Sequence, residues 1–344
     1  MRTTNKARNR SHSTLPSQTS RLSRTGLTPA VTAALFCSLA VFMLSMGSFA
    51  QAQMNASQAS TGHPGWVQIP GEVIRPDCVH EIPNGATVEV HDDQTTVDVT
   101  LDGSPVARYD ACPEEAIVTR PHAHTEDLSR APGTGNGRIE ADLWKVPLGA
   151  NDDIDYLAGA WTVPSFPSQN GATIYLFNGI ESSSRGWILQ PVLQYGVSPA
   201  GGGDYWAVAS WLVSSNQAFH SPLQTVYPGN SVKGYMEMTA ISGSTKYWEV
   251  EAKDTTTGAY SYLSAHVSGQ QWTWAYAGVL EGHSVTSCGQ LPANGREVFK
   301  GSVVDHGFPA YRPASLQGWD GGIYSYGGPL CHFAIVSAGG TLRF

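Results

Sequence analysis

A glutamine flanked by apolar residues is the first side chain in this sequence whose position suggests chemistry. Gln190 lies in the segment Gly186–Tyr195, which reads Gly-Trp-Ile-Leu-Gln-Pro-Val-Leu-Gln-Tyr. As a strand, this segment places Gln190, Val192 and Gln194 on one face. A buried amide without partners costs about 1–3 kcal/mol, so its polar atoms need defined partners. Two roles are open for Gln190: it bonds neighbouring backbone groups, or it donates to a reacting oxygen.

A carboxylate that closes an apolar run is the second candidate. Glu281 is the only acidic residue between Asp254 and Glu297, and it follows the run Trp274–Leu280. A carboxyl group in apolar surroundings tends to have a raised pKa, which suits proton transfer under acidic conditions. Glu281 is therefore a candidate general acid or base. A solvent-facing glutamate at a strand end is the alternative.

The segments that must position these two residues are predicted to be β-strands. Aromatic and β-branched residues occur in short runs separated by Gly, Pro, Asn or Ser, and no apolar pattern keeps helical spacing over the length of a helix. Many short strands separated by turn residues predict an all-β, antiparallel two-sheet sandwich. The predicted strands are Ala86–His91, Thr95–Leu101, Trp161–Phe166, Thr173–Phe177, Trp187–Gln194, Tyr205–Val213, Ser231–Ile241, Tyr247–Lys253, Leu263–Val267 and Val279–Val285.

Residues 1–52 have the order of a secretory signal peptide. Six basic and no acidic residues precede an apolar run over 29–49, which ends in small residues. Cleavage is predicted after Ala52, with Ala50 as second choice, and a retained membrane anchor is the alternative. We therefore predict a secreted protein, extracellular or periplasmic, with no membrane association after signal removal.

Charge argues against nucleic acid as a partner and divides the mature chain in two. The net charge is −8 for the whole chain and −14 without the signal peptide, which is opposite in sign to a nucleic-acid footprint. We predict an acidic N-terminal module or prosegment over 53–140, with a flexible linker over 131–137, and a catalytic-like β-sandwich over 141–344. A prosegment would shield the cleft until export, and acidification would neutralise its carboxylates.

Four cysteines remain after the signal peptide, and their even number in an exported chain favours disulfides. Of the three possible pairings we favour Cys78–Cys112 with Cys288–Cys331, because each bond closes a loop within one segment. The first would tie the small N-terminal β module. The C-x-x-C spacing of a zinc site is absent.

A series of short motifs over residues 156–285 resembles the glutamic peptidases of the eqolisin type, which are secreted endopeptidases active in acid. Each motif is short, and their shared order carries the resemblance. Ser210 departs from it, because the family motif that corresponds to Tyr205–Trp211 carries an acidic residue just before its last Trp. Glu181 stands where the family has an aspartate. The matching segments are Ala160–Ser165, Asn178–Glu181, Ile188–Gln190, Tyr205–Trp211, Tyr227–Val232, Glu249–Gly258 and Ala277–Glu281.

The resemblance implies a jelly-roll or concanavalin-like sandwich, polypeptide substrates and no metal or cofactor. By position, Gln190 and Glu281 become the catalytic pair. Glu281 would activate a water as general base and return a proton to the leaving amine, while the Gln190 amide would donate to the oxyanion. We also predict a monomer. The predicted substrate-binding residues are Glu181, Gln194, Trp206, Trp211 and His283.

Three other patterns keep other functions open. Glu249 and Glu251 share a strand face, which suggests the paired carboxylates of a glycoside hydrolase. The alternation around them is, however, typical of a half-exposed strand. His122 and His124 could ligate a metal, but a third ligand at set spacing is missing. A carbohydrate- or surface-binding module without catalysis is the main alternative, with stacking faces from Trp187, Trp206, Trp211, Trp272 and Trp274.

Overall fold

The described part of the chain lies within one compact unit, Ser48–Phe344. In this computed structural model it comprises residues 65–91, 94–113, 117–118, 135–146, 152–214, 216–309, 312–313, 320–322, 331 and 334–338. The predicted signal peptide, its cleavage positions, and His122 and His124 lie outside these residues. Over the same residues, no helix is long and apolar enough to cross a membrane.

Strands dominate, and nine of them form what we call the front sheet. In order across this sheet they are β21 (Asp320–Gly322), β8 (Gly135–Lys145), β18 (Trp272–Val285), β10 (Thr173–Ser182), β11 (Ile188–Ser198), β12 (Gly201–Val213), β13 (Ala218–His220) and β3 (Val79–Glu81), and β14 (Gln224–Val226) also pairs with β12.

Ten further strands form the back sheet, and three form a small third sheet. The back sheet runs β20 (Arg312–Pro313), β19 (Arg296–His306), β9 (Ile154–Thr162), β15 (Ser231–Ser242), β16 (Thr245–Asp254), β17 (Tyr260–Ser268), β4 (Thr87–Val90), β5 (Thr96–Leu101) and β6 (Ser104–Asp110), with β22 (Ala334–Ala338) beside β19. The third sheet holds β1 (Val67–Ile69), β2 (Glu72–Ile74) and β7 (Ile117–Val118). Two 3₁₀ turns, Pro76–Cys78 and Cys288–Gln290, complete the described elements.

The front and back sheets pack face to face, which confirms the predicted all-β sandwich. Leu189 and Leu212 of the front sheet share a buried cluster with Leu157 and Met236 of the back sheet. β15 shows why the sequence folds this way, because its buried and more accessible residues alternate along the strand. Alternation of this kind places apolar side chains on the core face and polar ones toward solvent.

The central strands β10 and β11 are buried on both faces. Their second face is covered by β1, β2 and the turn between them, which we call the N-terminal hairpin (Val67–Ile74). Ile69 and Ile74 of this hairpin pack in one buried cluster with Tyr175, Phe177 and Val192 of the front sheet. This cover explains the near-continuous apolar runs in β10 and β11, since a strand buried on both sides needs no polar face.

The two predicted disulfides are confirmed, and both are present as Cys78–Cys112 and Cys288–Cys331. The segment of the predicted N-terminal module contributes strands to both large sheets. β3 pairs in parallel with β13 in the front sheet, and β4 pairs in parallel with β17 in the back sheet. Residue 140 lies inside β8, which pairs with β18.

Several strands and loops differ from the sequence predictions, and three of these differences have a local cause. The strand predicted over Trp161–Phe166 ends at Thr162 because Val163-Pro164 follows, and proline has no N–H for the ladder. The last three residues of the predicted linker, 135–137, belong to β8. β19 was not predicted, because Lys300-Gly301-Ser302 interrupts its alternation where the pairing with β9 shifts register.

A buried carboxyl on β9 should contribute stability in acid that is lost toward neutral pH. Burial raises the pKa of Asp155 from 3.8 to about 7, and the nearby Asp305 charge adds to the shift. Below about pH 4 the folded and unfolded chains both hold this proton; between pH 4 and 7 only the folded chain does. The free energy of unfolding should therefore fall as pH rises through this window, by on the order of 2–4 kcal/mol from Asp155.

Thermal or urea unfolding of Asp155→Asn against pH measures this contribution. The neutral amide should remove the Asp155 share of the fall between pH 4 and 7, while the share from Glu297, whose pKa burial also raises to about 7, should remain. Asp110→Asn, at an exposed residue of β6, should keep the slope of the parent protein. Parallel curves for the parent and Asp155→Asn would show that Asp155 does not hold its proton in the folded state.

Candidate active site

The front sheet brings the two predicted catalytic residues to the face covered by the N-terminal hairpin. Gln190 lies on β11 and Glu281 on β18, and both strands flank β10. Their side chains are almost fully buried, with relative exposures of 0% and 2%. We call this side of the front sheet the site face. These two residues, far apart in the chain, thus lie on strands separated only by β10.

Gln190 and Glu281 bond the same peptide unit of the N-terminal hairpin. The Gln190 Nε2 donates to the Pro70 carbonyl oxygen at 2.8 Å, and the Gly71 N–H donates to Glu281 Oε2 at 2.9 Å. Since those two backbone atoms belong to one peptide group, the two side-chain tips lie within about 8 Å of each other. Gln190 therefore bonds a backbone group, but this group is 120 positions away in the sequence and does not belong to a neighbouring residue.

His283 is the immediate neighbour of the glutamate. Its Nε2 lies 2.7 Å from Glu281 Oε1, and both side chains are at most 3% exposed. The His283 ring also meets the edge of Tyr175, with ring centroids 5.5 Å apart. The spacing of two residues along β18 places His283 and Glu281 on one face of the strand. Each oxygen of the Glu281 carboxylate thus bonds a defined group.

Tyr175 links the site face to the hairpin and was not singled out from the sequence. It lies opposite Glu281 in the β10–β18 register, and its hydroxyl donates to the Gln68 carbonyl oxygen at 3.3 Å. Burial raises the pKa of Tyr175 far above its usual range, with a further contribution from the Glu281 carboxylate. The phenol therefore stays protonated and acts as a donor. Tyr175 and Phe177 are two residues apart on β10, so they share a face. This spacing is the sequence signal that could have identified Tyr175.

Glu181 occupies the other end of β10 on the site face. Its Oε2 accepts a hydrogen bond from the Tyr276 hydroxyl. Trp274 lies opposite Glu181 in the register, and the Arg185 guanidinium and the Lys145 ammonium lie 4.0 and 4.5 Å from its ring centroid. Cations this close to an indole ring are held by cation–π attraction. This end of the site face is therefore polar and charged, unlike its apolar centre.

Trp211 lies on the site face beside the glutamine. It is directly opposite Gln190 in the β11–β12 register, so the two side chains share a face. Its ring packs on His220 with centroids 4.6 Å apart. Burial lowers the pKa of His220 to about 4. Around neutral pH this imidazole is uncharged, and Trp211 lies in an apolar environment.

Comparisons with known proteins give structural neighbours but no family. No family model matches the chain, and no curated protein matches it. Two solved structures of scytalido-glutamic peptidase with transition state analogues are similar at 18% identity, with TM-scores of 0.32 and 0.33; the matches cover 42% and 49% of this chain and 65% and 80% of theirs.

Two further solved structures are similar at the same low level. SCP-B, a member of the eqolisin family of peptidases in a complex with the tripeptide Ala-Ile-His, has 19% identity and a TM-score of 0.30, over 42% of this chain and 63% of its own. The CBM2 module of Lactobacillus casei BL23 phage J-1 evolved Dit has 10% identity and a TM-score of 0.26, over 41% and 67%. The chain thus spans slightly under two thirds of SCP-B and of one scytalido-glutamic peptidase. Likeness at this level assigns neither a family nor an activity.

Two predicted substrate-binding residues have contacts that do not fit that role. Gln194 faces the site side, but its Nε2 donates to the carbonyl oxygens of Gly196 and Gly201, both at 2.9 Å. Trp206 pairs with Tyr195 and lies in the core between the two large sheets, on the opposite face from Gln190. Their contacts hold the β11–β12 ladder and the core together.

Ser210, the departure from the family pattern, points away from the site. Its hydroxyl donates to the Ser261 carbonyl oxygen of the back sheet at 2.9 Å. Its backbone N–H is within hydrogen-bond distance of the Ser221 and Ser261 hydroxyls. These contacts join the two sheets. An acidic side chain here would be buried between them rather than placed next to Gln190.

Two of the three rival patterns fall on described residues, whereas His122 and His124 lie outside them. Glu249 lies in the back sheet opposite Glu237, and Glu251 lies on the same strand. Within the described ranges, no three His, Cys, Asp or Glu side chains are grouped so that they could hold a metal ion. The tryptophans offered as stacking faces are all at most 7% exposed: Trp187, Trp206, Trp211, Trp272 and Trp274.

Proposed function

We propose that the protein is a secreted endopeptidase, active at acidic pH, that hydrolyses peptide bonds in polypeptides with Gln190, Glu281 and a water molecule. The observation that carries the proposal is the shared peptide unit. An amide donor holds its carbonyl oxygen at 2.8 Å, and a carboxylate accepts from its N–H at 2.9 Å. The two side chains thus contact the two atoms whose charge changes most when a peptide bond is hydrolysed.

Glu281 has the position and surroundings of a general base. It removes a proton from the attacking water and delivers it to the leaving nitrogen, which is the atom that its Oε2 already contacts. Proton transfer by a positioned side chain contributes about 10²–10⁴-fold to a rate. The His283 imidazole, 2.7 Å from the other carboxylate oxygen, orients this group.

Gln190 supplies the oxyanion donor. Its Nε2 already lies at hydrogen-bond distance from a carbonyl oxygen, and no reorganisation is needed when that oxygen becomes negative. One preorganised donor of this kind accounts for about 10²–10³-fold in rate.

The disulfides and the sequence resemblance support the remaining parts of the proposal. Two disulfides are typical of an oxidising compartment outside the cytoplasm. The order of the eqolisin-like motifs places Gln190 and Glu281 at the positions of the family's catalytic pair, with no metal or cofactor required. The mature enzyme is proposed to act as a monomer.

An inhibitor-resolved cleavage assay tests the proposed function. The exported protein is incubated with denatured protein between about pH 2 and 7, with and without pepstatin and a chelator. We expect cleavage at low pH that neither compound stops. Inhibition by pepstatin would instead indicate an aspartic peptidase, and inhibition by the chelator a metallopeptidase. Inactivity of both the parent protein and the opened variant described below would favour a binding module.

A further inference from the structure

We infer that the N-terminal hairpin (Val67–Ile74) is an intramolecular inhibitor whose Pro70-Gly71 turn occupies the substrate position on the site face. This inference rests on the proposed function and names the regulation of the same site. It also narrows the predicted prosegment from residues 53–140 to the part of the chain before residue 75. The remaining strands of that segment stay in the active protein.

The turn contacts both proposed catalytic groups at once. Ile69 pairs with Glu72 across the hairpin, so Pro70 and Gly71 are the two central turn residues. Gly71 has a φ of +91°, which matches the third position of a type II turn after proline. The central peptide of the turn then presents its carbonyl to Gln190 and its N–H to Glu281. A substrate carbonyl cannot reach Gln190 while Pro70 holds it.

Apolar contacts on both arms hold the turn in place. Val67, Ile69 and Ile74 are at most 2% exposed and belong to the same buried cluster as Tyr175 and Trp211. Fully burying a side chain of this kind is favourable, and three of them flank the turn. The Tyr175 hydroxyl adds a hydrogen bond to the Gln68 carbonyl oxygen. The hairpin therefore covers the site face as a bound ligand would.

The conformation of the turn is that of an inhibitor rather than of a substrate segment. The chain reverses at Pro70-Gly71, and β1 and β2 leave in the same direction as a paired ladder. A substrate that runs across the sheet must continue in opposite directions from the scissile bond. Rigid turns that match a site bind well because they lose little conformational entropy.

The inhibitor ends where the chain is anchored to the sandwich. Cys78 is disulfide-bonded to Cys112, and β3 begins at Val79 and pairs with β13. Arg75 and Asp77, between the hairpin and this anchor, have exposed side chains. The hairpin can therefore leave the site face by a change at this exposed segment, which also breaks the short pairing of β2 with β7, while β3 to β6 stay paired in the two sheets.

Ile69→Asp tests the inference directly, because it puts a carboxylate into the fully buried contact of the hairpin while leaving the catalytic groups unchanged. When only a small fraction of molecules is open, the apparent activity is that small fraction of the activity of the open form. We expect kcat/KM for a peptide substrate to rise about tenfold or more. Val106→Asp introduces the same charge at an exposed residue of β6 and should leave kcat/KM unchanged.

A synthetic peptide gives a second readout that does not depend on catalysis. A fluorescent peptide of sequence Trp66–Arg75 should bind Ile69→Asp, measured by anisotropy, and should bind the parent protein at least about tenfold more weakly. It should also inhibit the opened variant. The same peptide with N-methylglycine at position 71 lacks the N–H that Glu281 accepts, and we expect it to lose most of this binding.

The combined outcomes separate this inference from the proposed function. If the peptide binds Ile69→Asp but no form cleaves protein, the hairpin is a ligand of the site face and the peptidase proposal fails. The inference is overturned if Ile69→Asp has the activity of Val106→Asp, if the peptide binds the two proteins equally, or if the parent cleaves its own Pro70–Gly71 bond.

A milder variant covers the case in which Ile69→Asp does not fold, as judged by circular dichroism. Gly71→Ala meets no neighbouring atom within 4 Å and strains only the positive φ of the turn. It should raise kcat/KM several-fold. An unchanged kcat/KM in a folded Gly71→Ala protein, together with no peptide binding to that variant, would equally overturn the inference.

Discussion

Glu281→Gln should lower kcat for peptide hydrolysis by about 10²–10⁴-fold in the Ile69→Asp background, where the N-terminal hairpin no longer competes with substrate. The replacement keeps the size of the side chain and an oxygen that can accept the N–H of a bound peptide. It removes the carboxylate that takes the proton from water, and with it the rate enhancement that general-base catalysis contributes. Initial rates on a quenched peptide at acidic pH should show this loss with KM changed by no more than about threefold, because the peptide contact is retained.

Glu249→Gln is the matched control for that measurement. Glu249 is a carboxylate on β16 of the back sheet, paired opposite Glu237 and away from the site face. Its replacement should leave kcat unchanged, and a large loss would show that removal of a carboxylate far from the site face also lowers the rate. Retention of more than about a tenth of the parent kcat by Glu281→Gln would exclude this carboxylate as the base, since removal of a general base costs at least about 10²-fold.

The alternation of side chains predicted most of the strands but not what covers them. β15 alternates between buried and more accessible residues, and its bounds, Ser231–Ser242, lie within one residue of the predicted ones. β10 was predicted to end at Phe177 but continues to Ser182. Asn178 and Glu181 interrupt its apolar run, and their partners, the Gly234 carbonyl and the Tyr276 hydroxyl, come from other strands. A strand that continues through buried polar residues can be predicted only when their hydrogen-bond partners are known.

The same rule separates the residues of the site that were predictable from those that were not. Trp206 and Trp211 are five positions apart on one strand, so alternation alone places them on opposite faces. Only Trp211 lies beside Gln190. Which residue lies beside Gln190 depends on the register between β11 and β12. The alternation of side chains within either strand does not determine that register. The assignment of both tryptophans to one site therefore went beyond what the spacing allowed.

The contact that organises the site could not be found from local sequence. Pro70-Gly71 is a recognisable turn signal. However, its partners Gln190 and Glu281 lie 120 and 210 positions away. The composition of the segment was informative in a coarser way, because Val67, Ile69, Val73 and Ile74 are apolar residues in an otherwise acidic region. Such residues need a surface to cover, and the doubly buried strands β10 and β11 supply it.

Gln190→Met should lower kcat by about 10²–10³-fold, again in the Ile69→Asp background. Methionine fills nearly the same volume in the buried site face and removes the N–H donor, so the loss reports the oxyanion contact rather than a cavity. KM should change far less than kcat, because the donor stabilises a charge that develops only in the transition state.

Gln224→Met, at a partly buried glutamine of β14, should leave both constants near those of the parent. The opposite result for Gln190→Met, a raised KM with an unchanged kcat, would mean that the amide only holds the peptide in place. Gln190 would then bind the substrate peptide as it binds the Pro70 carbonyl when the N-terminal hairpin covers the site face. Catalysis would depend on Glu281 without an amide donor from β11.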